Sequence, residues 1–486
     1  MTNRPENISP ARFSVAIIGG GFTGTTLAAQ LLRCAGSSLS VVVVEKSASV
    51  GRGLAYGTKS KSLLLNVRAR NMSAFADDPQ HFLRWAQANY DSTTGPGSFL
   101  PREVYGRYVE ALLNEASSSN DRRLQWIKDE TTGLSPTGDS AVEIELRSGK
   151  RLLADRVVMA VGNFPPANPL AGLDGGKVSR YCRDPWSAEA FEGVENLKTI
   201  LLIGSGLTSV DLAIQLRAHR FRGTIHVLSR RGLLPRWHKA VDAGPPFWNE
   251  SSPKNTRGLL RLVREQVRQG QEQGVEWQSV FDSLRPLVGQ IWQSLPPQER
   301  RRFLRHVRPY WEVHRHRAAT EIARIIENEL AGRTFQLHAG RITDYQEKDH
   351  KVNVTYLARH TGEEHRLSVD RVINCTGPET DCRRLQDPLI TSLLARGLAR
   401  SDPLFLGLDV SSEGALIDRD GAVSRRLYAV GPLRKGDLWE STAVPEIRQQ
   451  VSKLVEHLVT GSLDARGAHH SSESRLRAEN LMATHA

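Results

Sequence analysis

The residues of this sequence best placed to do chemistry are two glycine-rich turns, each lying between a predicted strand and a predicted helix. The first turn, GGGFTG at residues 19–24, has the spacing G-x-G-x-x-G. In such a turn Gly19 permits the tight bend, Gly21 lets a pyrophosphate approach the backbone, and Gly24 lets the helix pack on the strand. The N–H groups at the helix N-terminus favour the negative charge. Glu45 ends the next strand, where a carboxylate can bind ribose hydroxyls, so the turn predicts a site for FAD or NAD.

The second turn, GSGLTS, begins at Gly204 and keeps Gly206, but it has Ser209 where a third glycine would stand. A small residue there still lets the helix pack closely. The strand that follows ends in Arg230 and Arg231 rather than in an acid. Guanidinium groups can bind a 2′-phosphate in bidentate fashion, so this site favours NADPH over NADH. The alternative is that both arginines are solvent-facing charges on a fold without a ligand.

The two sites differ, and the difference assigns a ligand to each. The acid after the first turn suits FAD, and the arginines after the second suit NADPH. One site of each kind implies electron transfer from a nicotinamide to a flavin, which then supplies the hard chemistry.

The elements that position these turns are near-continuous apolar runs, such as FSVAIIG and LSVVVVE around the first turn and TILLIG around the second. Runs of this kind are typical of parallel strands covered on both faces. The predicted fold class is therefore α/β, with two Rossmann-like dinucleotide-binding domains. We expect a discontinuous FAD domain at 1–190 and 366–465. The NADPH domain is expected at 191–365, with a charged helical insertion at 253–333. The polar segment 466–486 is expected to be a flexible tail.

Composition restricts the class of protein. The 486 residues carry 65 Lys and Arg against 53 Asp and Glu, a net charge of +12. The basic residues are dispersed, and no basic block with interleaved aromatics appears, so we predict no nucleic-acid partner. No long apolar run or signal sequence occurs, and the four cysteines form no C-x-x-C pair. These features predict a cytoplasmic protein without a membrane span or a metal; the oligomeric state stays open.

The segment RPYWEVHRHR, residues 308–317, concentrates cationic and aromatic side chains. If the whole segment is helical, His314 and Arg317 share a face. They are candidate catalytic residues, together with His238, which follows the second strand of the NADPH unit in RGLLPRWH. The alternative is an ordinary charged helix with aromatic core contacts.

Several stretches together resemble the FAD/NAD(P)-binding flavoproteins with two dinucleotide domains, in the group that contains a bacterial FAD-dependent urate hydroxylase. More distantly, the layout resembles flavin N-hydroxylating monooxygenases. The stretches that carry the resemblance are VAIIGGGFTGTTLA at 15–28, GRGLAYGT at 51–58, LLNVRARNMSAFADDPQHFLRW at 64–85, SRRGLLPRWH at 229–238, RPYWEVHRHR at 308–317, NCTGP at 374–378 and WESTAVPEIR at 439–448.

Carried over by position, the resemblance implies further residues near the FAD: Gly53, Tyr56, Asn66, Met72 and Gly431. It implies a monooxygenase in which NADPH reduces FAD and the reduced flavin uses O₂ to hydroxylate a small, polar, anionic substrate. The specific expectation is conversion of urate to 5-hydroxyisourate, in purine metabolism. The alternatives are N-hydroxylation of an amine or amino acid, a reductase or dehydrogenase without oxygen transfer, and a redox-sensing binding protein.

Overall fold

The apolar runs of the sequence form the central strands of two large sheets in the computed structural model, which describes residues 6–7, 13–34, 39–116, 123–138, 141–171 and 179–460. The predicted tail at 466–486 lies outside these ranges. The strands, in chain order, are β1 (Glu6–Asn7), β2 (Phe13–Ile18), β3 (Leu39–Glu45), β4 (Leu124–Lys128), β5 (Thr131–Thr137), β6 (Ala141–Leu146), β7 (Arg151–Ala154), β8 (Arg156–Met159), β9 (Tyr181–Cys182), β10 (Thr199–Ile203), β11 (Thr224–Ser229), β12 (Phe335–Lys348), β13 (Lys351–Ala358), β14 (Glu364–Val369), β15 (Arg371–Asn374), β16 (Ala415–Ile417) and β17 (Val423–Ala429).

The helices follow or connect these strands. In chain order they are α1 (Phe22–Cys34), α2 (Gly53–Tyr56), α3 (His81–Asn89), α4 (Arg102–Ala116), α5 (Leu207–Ala218), α6 (Thr256–Glu272), α7 (Trp277–Ser283), α8 (Val288–Ser294), α9 (Pro297–His306), α10 (Arg308–Arg315), α11 (Thr320–Ala331), α12 (Pro388–Ala395), α13 (Lys435–Leu438) and α14 (residues 444–460). Short 3₁₀ turns lie at Ala69–Asn71, Ala188–Ala190, Val194–Asn196, Arg285–Leu287, Cys382–Arg384 and Gly431–Arg434. Within the described ranges, no helix combines the length and apolarity that a membrane crossing requires.

The first large sheet has the strand order β16-β17-β8-β2-β3-β4 among the described residues, and all its neighbours are parallel except β16 and β17. One face is covered by α1, α4 and α14, and the other by the antiparallel strands β5 to β7 and by α12. Because the sheet is covered on both faces, Val41 to Val44 of β3 are all buried. The uninterrupted run of valines in the sequence therefore reflects burial on both faces in this three-layer arrangement.

The second large sheet has the order β14-β13-β12-β11-β10-β15-β9 in the described part of the chain. The strands β12, β10, β11, β15 and β9 pair in parallel, while β13 and β14 extend the sheet as an antiparallel meander. A third, smaller sheet runs β1-β7-β6-β5. The fold therefore repeats the strand–glycine turn–helix–strand unit at β2-α1-β3 and at β10-α5-β11, as the apolar runs predict.

The chain passes from the first sheet to the second after Met159 and returns after Asn374. The predicted boundary at residue 366 lies inside β14, a strand of the second sheet, and β9 joins that sheet before residue 190. The domain boundaries stay predictions. The observed strand pairing differs from these boundaries at both ends. Two short strands of the second sheet, β9 and β15, lie outside residues 191–365 in sequence.

Helices α6 to α11 lie between β11 and β12, inside the predicted insertion at 253–333. They do not form a separate bundle. Trp292 of α8 stacks on Trp439 with ring centroids 5.1 Å apart, in an apolar cluster that also contains Leu406. Trp292 Nε1 donates to the carbonyl oxygen of Gly436 at 2.8 Å. The insertion therefore packs on the chain that follows the first sheet.

An ion pair joins the two nucleotide-binding units near their glycine turns. Arg102, at the start of α4, places Nη2 2.6 Å from Oδ2 of Asp211 on α5, and its Nε donates to the carbonyl of Leu64. The two side chains are only 16% and 14% exposed. Burial raises the pKa of Asp211, an effect that Arg102 opposes. Asp211 is therefore a structural residue that compensates a largely buried guanidinium.

Replacing Asp211 with alanine is expected to destabilise the fold by roughly 2–3 kcal/mol, because the change leaves Arg102 poorly solvated and without its carboxylate. The free energy of unfolding can be measured in urea by tryptophan fluorescence. The matched control is Asp77→Ala, which removes the partner of Arg33 in an exposed pair at 3.5 Å and should change stability by less than about 0.5 kcal/mol. Equal effects of the two substitutions would contradict the role given to Asp211.

Candidate dinucleotide and flavin site

The first glycine turn is shaped by close approaches that only glycine allows. Gly19 has φ = +103°, and a Cβ there would lie 2.5 Å from the carbonyl oxygen of Ala160, just beyond β8. A Cβ on Gly24 would lie 1.9 Å from the carbonyl oxygen of Gly19. The sequence motif therefore reflects backbone packing at both ends of the turn, as its spacing predicts.

The second turn repeats this geometry with one substitution. Gly204 has φ = +109°, and a Cβ would lie 2.5 Å from the carbonyl oxygen of Cys375, just beyond β15. Ser209 is fully buried, and its hydroxyl donates to the carbonyl oxygen of Gly206 at 2.7 Å. Serine thus fits at the third position, because its hydroxyl is satisfied within the turn itself.

Both turns leave open space where a pyrophosphate would approach. A Cβ on Gly21 would meet only the Cα of Gly53, at an ordinary 3.5 Å, and a Cβ on Gly206 would meet nothing within 4 Å. The central glycine of each motif is therefore not required by the protein's own packing. Each lies at the N-terminal end of a helix, where backbone N–H groups suit an anion. The residues present fit the phosphates of FAD and NADPH.

Glu45 lies at the end of β3, beside the first turn. One carboxylate oxygen accepts from the backbone N–H of Gly20 at 2.6 Å, and the other accepts from that of Ser47 at 2.7 Å. These bonds fix the carboxylate next to the turn, and each oxygen retains a further lone pair. The side chain is thus oriented to accept from ribose hydroxyls, the role that its position in the motif predicts.

The residues implied by the resemblance surround the same turn. Gly53 opens α2 with φ = +53°, and Tyr56 at its end packs on Tyr105 with ring centroids 4.6 Å apart. Burial raises the pKa of Tyr56 to about 12. Gly431 has φ = +82°, and its N–H donates to the side chain of Gln450 on α14. Met72 is buried in the core on the α1 face. Their role in binding FAD stays a prediction, since no ligand contact tests it.

The two halves meet where Asn66 faces His238. Nε2 of His238 donates to the carbonyl oxygen of Asn66 at 3.0 Å. Next to it, Arg68 donates to the carbonyl oxygens of Lys239 and Val241. Burial and the nearby Arg317 lower the pKa of His238 to about 3. The imidazole is therefore neutral, and its Nε2–H joins the two halves; a catalytic role for His238 stays a prediction.

The other two catalytic candidates converge on Trp277 of α7. The ring of His314 lies 5.0 Å from that of Trp277, and the Arg317 guanidinium lies 5.7 Å from the same ring. Arg317 also forms an ion pair with Asp282 and is 3% exposed. The three predicted residues are thus brought to one region. Their catalytic role stays a prediction.

The prediction that His314 and Arg317 share a helix face is wrong, because α10 ends at Arg315. His316 leaves the helix with ψ = 83°, and the following segment forms a bridge between Ala318 and Trp237. This extended pairing to the end of the second nucleotide unit competes with further helical turns. Arg317 reaches Trp277 from the extended segment.

A buried network of charges, which we call the loop clamp, holds the chain between Trp439 and α14. Glu440 accepts from the Trp311 indole at 2.9 Å, and its carboxylate lies 3.4 Å from His316 and 3.7 Å from Arg315. The remaining members pair around it at 2.8–2.9 Å: Glu312 with His316, and Glu446 with both Arg315 and Arg285. Two segments of the insertion, α10 with His316 directly after it and the 3₁₀ turn that begins at Arg285, therefore hold this part of the chain.

The charges of the loop clamp reinforce one another. Burial alone would lower the pKa of His316, but Glu440 and Glu312 together raise it to about 9. Burial would raise the pKa of Glu312, but His316 and neighbouring cations lower it to about 2. Burial would likewise raise the pKa of Glu440. Arg315 and His316 outweigh that effect and hold the pKa of Glu440 well below its usual range. Glu440 and Glu446 are thus charged structural partners and poor general bases.

The other potentially reactive side chains in the described part of the chain form neither a metal-ligating cluster nor a disulfide. Groups of three or more metal-ligating side chains are not found there. The cysteines form no disulfide, and burial raises the pKa of Cys375 and, to about 12, that of Cys382. Both thiols stay protonated at neutral pH. The cytoplasmic location and the absence of a metal stay predictions.

Sequence signals account for some of these contacts and not for others. The turn residues, Glu45 and the arginine pair follow from motif spacing. Asp282, Trp277 and Arg285 were not predicted, because they lie on a short helix, WQSVFDS, and on the 3₁₀ turn RPL, neither of which matches a motif. The charge of residues 276–317 was the available signal, but it does not say which cations are buried.

Comparison with known proteins agrees with this geometry. Residues 16–164 match the sequence model of a family described as FAD-NAD(P)-binding. The chain is 26% identical over 329 residues to the FAD-binding monooxygenase ktnD of Aspergillus niger, a match covering 61% of this chain and 49% of that protein. The chain thus spans about half the length of this curated relative.

Solved structures show the fold more completely. The ornithine N-hydroxylase of Kutzneria sp. 744 superposes with a TM-score of 0.62 and 13% identity, covering 93% of this chain and 100% of the other. The cadaverine monooxygenase of Erwinia amylovora superposes with a TM-score of 0.65 and 13% identity, covering 93% and 95%. Identity this low concerns the fold alone.

These findings confirm the predicted α/β fold, with its two dinucleotide-binding units, and the predicted FAD and NAD(P) cofactor class. The predicted enzyme class, a flavin-dependent oxidoreductase, agrees with all three relatives. None of them supports urate as the substrate or a place in purine metabolism. One of them is named an ornithine N-hydroxylase and another a cadaverine monooxygenase; ornithine and cadaverine are both amines, the substrate class of the alternative expectation.

The open space at Gly206 leads to a prediction about NADPH. Gly206→Ala should leave the melting temperature unchanged, because the new Cβ meets no protein atom. It should raise the Michaelis constant for NADPH about tenfold, because the methyl group occupies the place of the pyrophosphate. Gly289→Ala on α8, whose Cβ also meets nothing within 4 Å, is the matched control and should change neither quantity. An unaltered Michaelis constant in Gly206→Ala would count against the pyrophosphate site.

The loop clamp leads to a prediction about pH. The folded-state pKa of His316 is raised from 6.5 to about 9, so its stabilisation is complete below pH 6.5 and is lost as pH rises through about 9. The loss should be on the order of 2 kcal/mol, since each pKa unit corresponds to about 1.4 kcal/mol and the ring is 29% exposed. The free energy of unfolding, measured across this range, should fall more steeply in the wild type than in His316→Gln.

The control for that experiment is His365→Gln, because His365 is exposed and the carboxylate of Glu363 lies as far as 3.9 Å from its ring. Its pH profile should match that of the wild type. Parallel profiles for the wild type and His316→Gln would show that His316 is not held as a cation in the folded protein.

Proposed function

We propose that this protein is an FAD-dependent, NADPH-using monooxygenase that N-hydroxylates an amine or an amino acid. The observation that carries the proposal is the contact of Asn66 with His238, which joins an FAD-type unit to an NADPH-type unit. The likeness in fold to hydroxylases of ornithine and cadaverine supports it. The sequence likeness to an FAD-binding monooxygenase supports oxygen transfer over simple reduction.

The proposed reaction balances with the cofactors assigned. NADPH supplies two electrons, one atom of O₂ enters a new N–O bond, and the other leaves as water with one proton from the medium. A bound flavin supplies the chemistry between nicotinamide and O₂. The protein's part is to hold the two dinucleotides, position the amine and exclude water from the site.

Each turn has a part in the proposal. Gly19, Gly21 and Gly24 with Glu45 hold the FAD, and Gly204, Gly206 and Ser209 hold the NADPH. The loop clamp fixes the chain between Trp439 and α14, close in sequence to Gly431, which the resemblance places near the FAD. A rigid loop there suits a reaction that must keep solvent out.

The charges near the contact between the halves favour an amino acid over a simple diamine. The pKa of His238 is lowered by the charges of Arg68, Arg285 and Arg317. The carboxylates that interact with these arginines include Asp282, Glu440 and Glu446. A guanidinium in this region can bind a substrate carboxylate. Nearby cations also lower the pKa of an amine, and the neutral amine is the form that can accept an oxygen atom.

The test is a panel of L-ornithine, L-lysine, cadaverine and urate, each given to the FAD-loaded protein with NADPH and O₂. Hydroxylated product, NADPH oxidation and oxygen uptake are measured together. We expect a hydroxylamine from an amino acid, in a one-to-one ratio with NADPH. Oxidation of NADPH without a hydroxylated product from any amine would overturn N-hydroxylation in favour of a reductase. Consumption of urate alone would restore the purine substrate.

A further inference from the structure

Three arginines, not two, lie at the carboxyl end of β11. Nη1 of Arg359, from the turn between β13 and β14, donates to the carbonyl oxygen of Arg230 at 3.3 Å. The backbone N–H of Arg359 donates to the carbonyl oxygen of Ala339, whose residue pairs with Ser229 in the sheet. The antiparallel meander therefore delivers a guanidinium to the strand end that carries Arg230 and Arg231, 128 residues earlier in the chain by numbering.

These arginines have no carboxylate partners among the described residues; Arg230 and Arg359 are exposed, and Arg231 is half-buried. On the adjacent strand β14, by contrast, Arg366 pairs with Glu364 at 3.0 Å. Like charges brought together repel, so a cluster of this kind is most stable when an anion lies among them. Nε of Arg231 is also buried without a hydrogen-bond partner in the described structure. The cluster is arranged for a polyvalent anion.

An aromatic ring borders the same cluster. The Arg231 guanidinium lies 5.7 Å from the ring of Tyr310, which comes from α10 of the insertion. Tyr310 is 47% exposed, which is unusual for a large aromatic side chain. An exposed ring beside guanidinium groups can stack on a nucleobase, and such stacking is largely independent of the base. The anion and the ring together point to a nucleotide.

The glycine turn is tied to this strand end. The hydroxyl of Ser205, inside the turn, donates to the hydroxyl of Ser229 at 2.8 Å or to the carbonyl oxygen of Leu233 at 2.6 Å. In parallel sheets a dinucleotide crosses the carboxyl ends of the strands, with its pyrophosphate at the glycine turn and its adenosine ribose at the end of the next strand. The cluster therefore lies at the position of the adenosine 2′-phosphate.

We propose that Arg359 and Tyr310 complete a site for the 2′-phosphoadenosine end of NADPH, with Arg359 binding the phosphate and Tyr310 the adenine. The inference rests on the proposed function and deepens it, because it names residues that select NADPH over NADH. Neither residue belongs to the nucleotide motif, and both reach the site through elements outside the strand–turn–helix unit. Without Arg359, the phosphate site formed by Arg230 and Arg231 would be incomplete.

The experiment is calorimetric titration of the full, FAD-loaded chain with adenosine 2′,5′-bisphosphate and with 5′-AMP, which lacks the 2′-phosphate. Arg359→Ala should weaken binding of the bisphosphate about tenfold, which corresponds to about 1.4 kcal/mol, and should change 5′-AMP binding by less than twofold. Tyr310→Leu should weaken both nucleotides by a similar factor. Arg366→Ala is the matched control and should change neither.

The melting temperature of each variant shows whether it folds, and Arg359→Lys, which keeps the charge, should recover part of the lost affinity. Unchanged affinity of Arg359→Ala for the bisphosphate would overturn the assignment of Arg359. Selective loss of bisphosphate binding in Tyr310→Leu would overturn the assignment of Tyr310 to the base. If the wild type binds both nucleotides equally, the phosphate site itself is wrong.

These outcomes are independent of the substrate panel. A bisphosphate preference that Arg359→Ala removes would support the inference even if no amine is hydroxylated. Conversely, amine hydroxylation driven equally by NADH and NADPH would support the proposed reaction and overturn the phosphate site.

Discussion

The burial of guanidinium and imidazolium groups at the base of the insertion is the constraint on which the arrangement of the site depends. Arg315 is 8% exposed at its side chain, and Glu440 beside it is 6% exposed. A cation so far from water needs a carboxylate, and the carboxylates are Glu440, in the loop that precedes α14, and Glu446, in the first turn of α14. The insertion therefore cannot pack without fixing that loop, and the loop cannot move without leaving charges unpaired. Packing of the insertion helices and the geometry of this loop therefore depend on the same ion pairs.

The two nucleotide units meet a second constraint in the same way. At each turn the first glycine lies against the strand-to-loop crossing that links the sheets, Gly19 at Ala160 and Gly204 at Cys375. The crossings are therefore part of the nucleotide sites, although they lie far from the turns in sequence. This explains why the two sheets share one pattern. A strand neighbouring the glycine turn ends where the chain leaves for the other half, so cofactor position and domain connection are fixed together.

The sequence predicts what local rules determine. Apolar runs predict the parallel strands, and motif spacing predicts both turns. It fails where a result depends on long-range partners. The helix over residues 308–317 ends early because Ala318 pairs with Trp237, and Asp211 finds Arg102 across 109 positions. Charged helices give no sign of which arginines are buried, so Asp282 and Arg285 were not predicted. Periodicity records burial of apolar groups, and buried ion pairs leave no periodic trace.

One helix connects the two ends of the catalytic region. The first turn of α10 carries Tyr310, whose ring lies 5.7 Å from the Arg231 guanidinium at the proposed phosphate site, and its last residue is Arg315, which binds Glu446 of the loop clamp. A helix of eight residues spans about 12 Å. Tyr310 and Arg315 therefore lie on one short helix of the insertion, which reaches from the proposed phosphate site to the loop clamp.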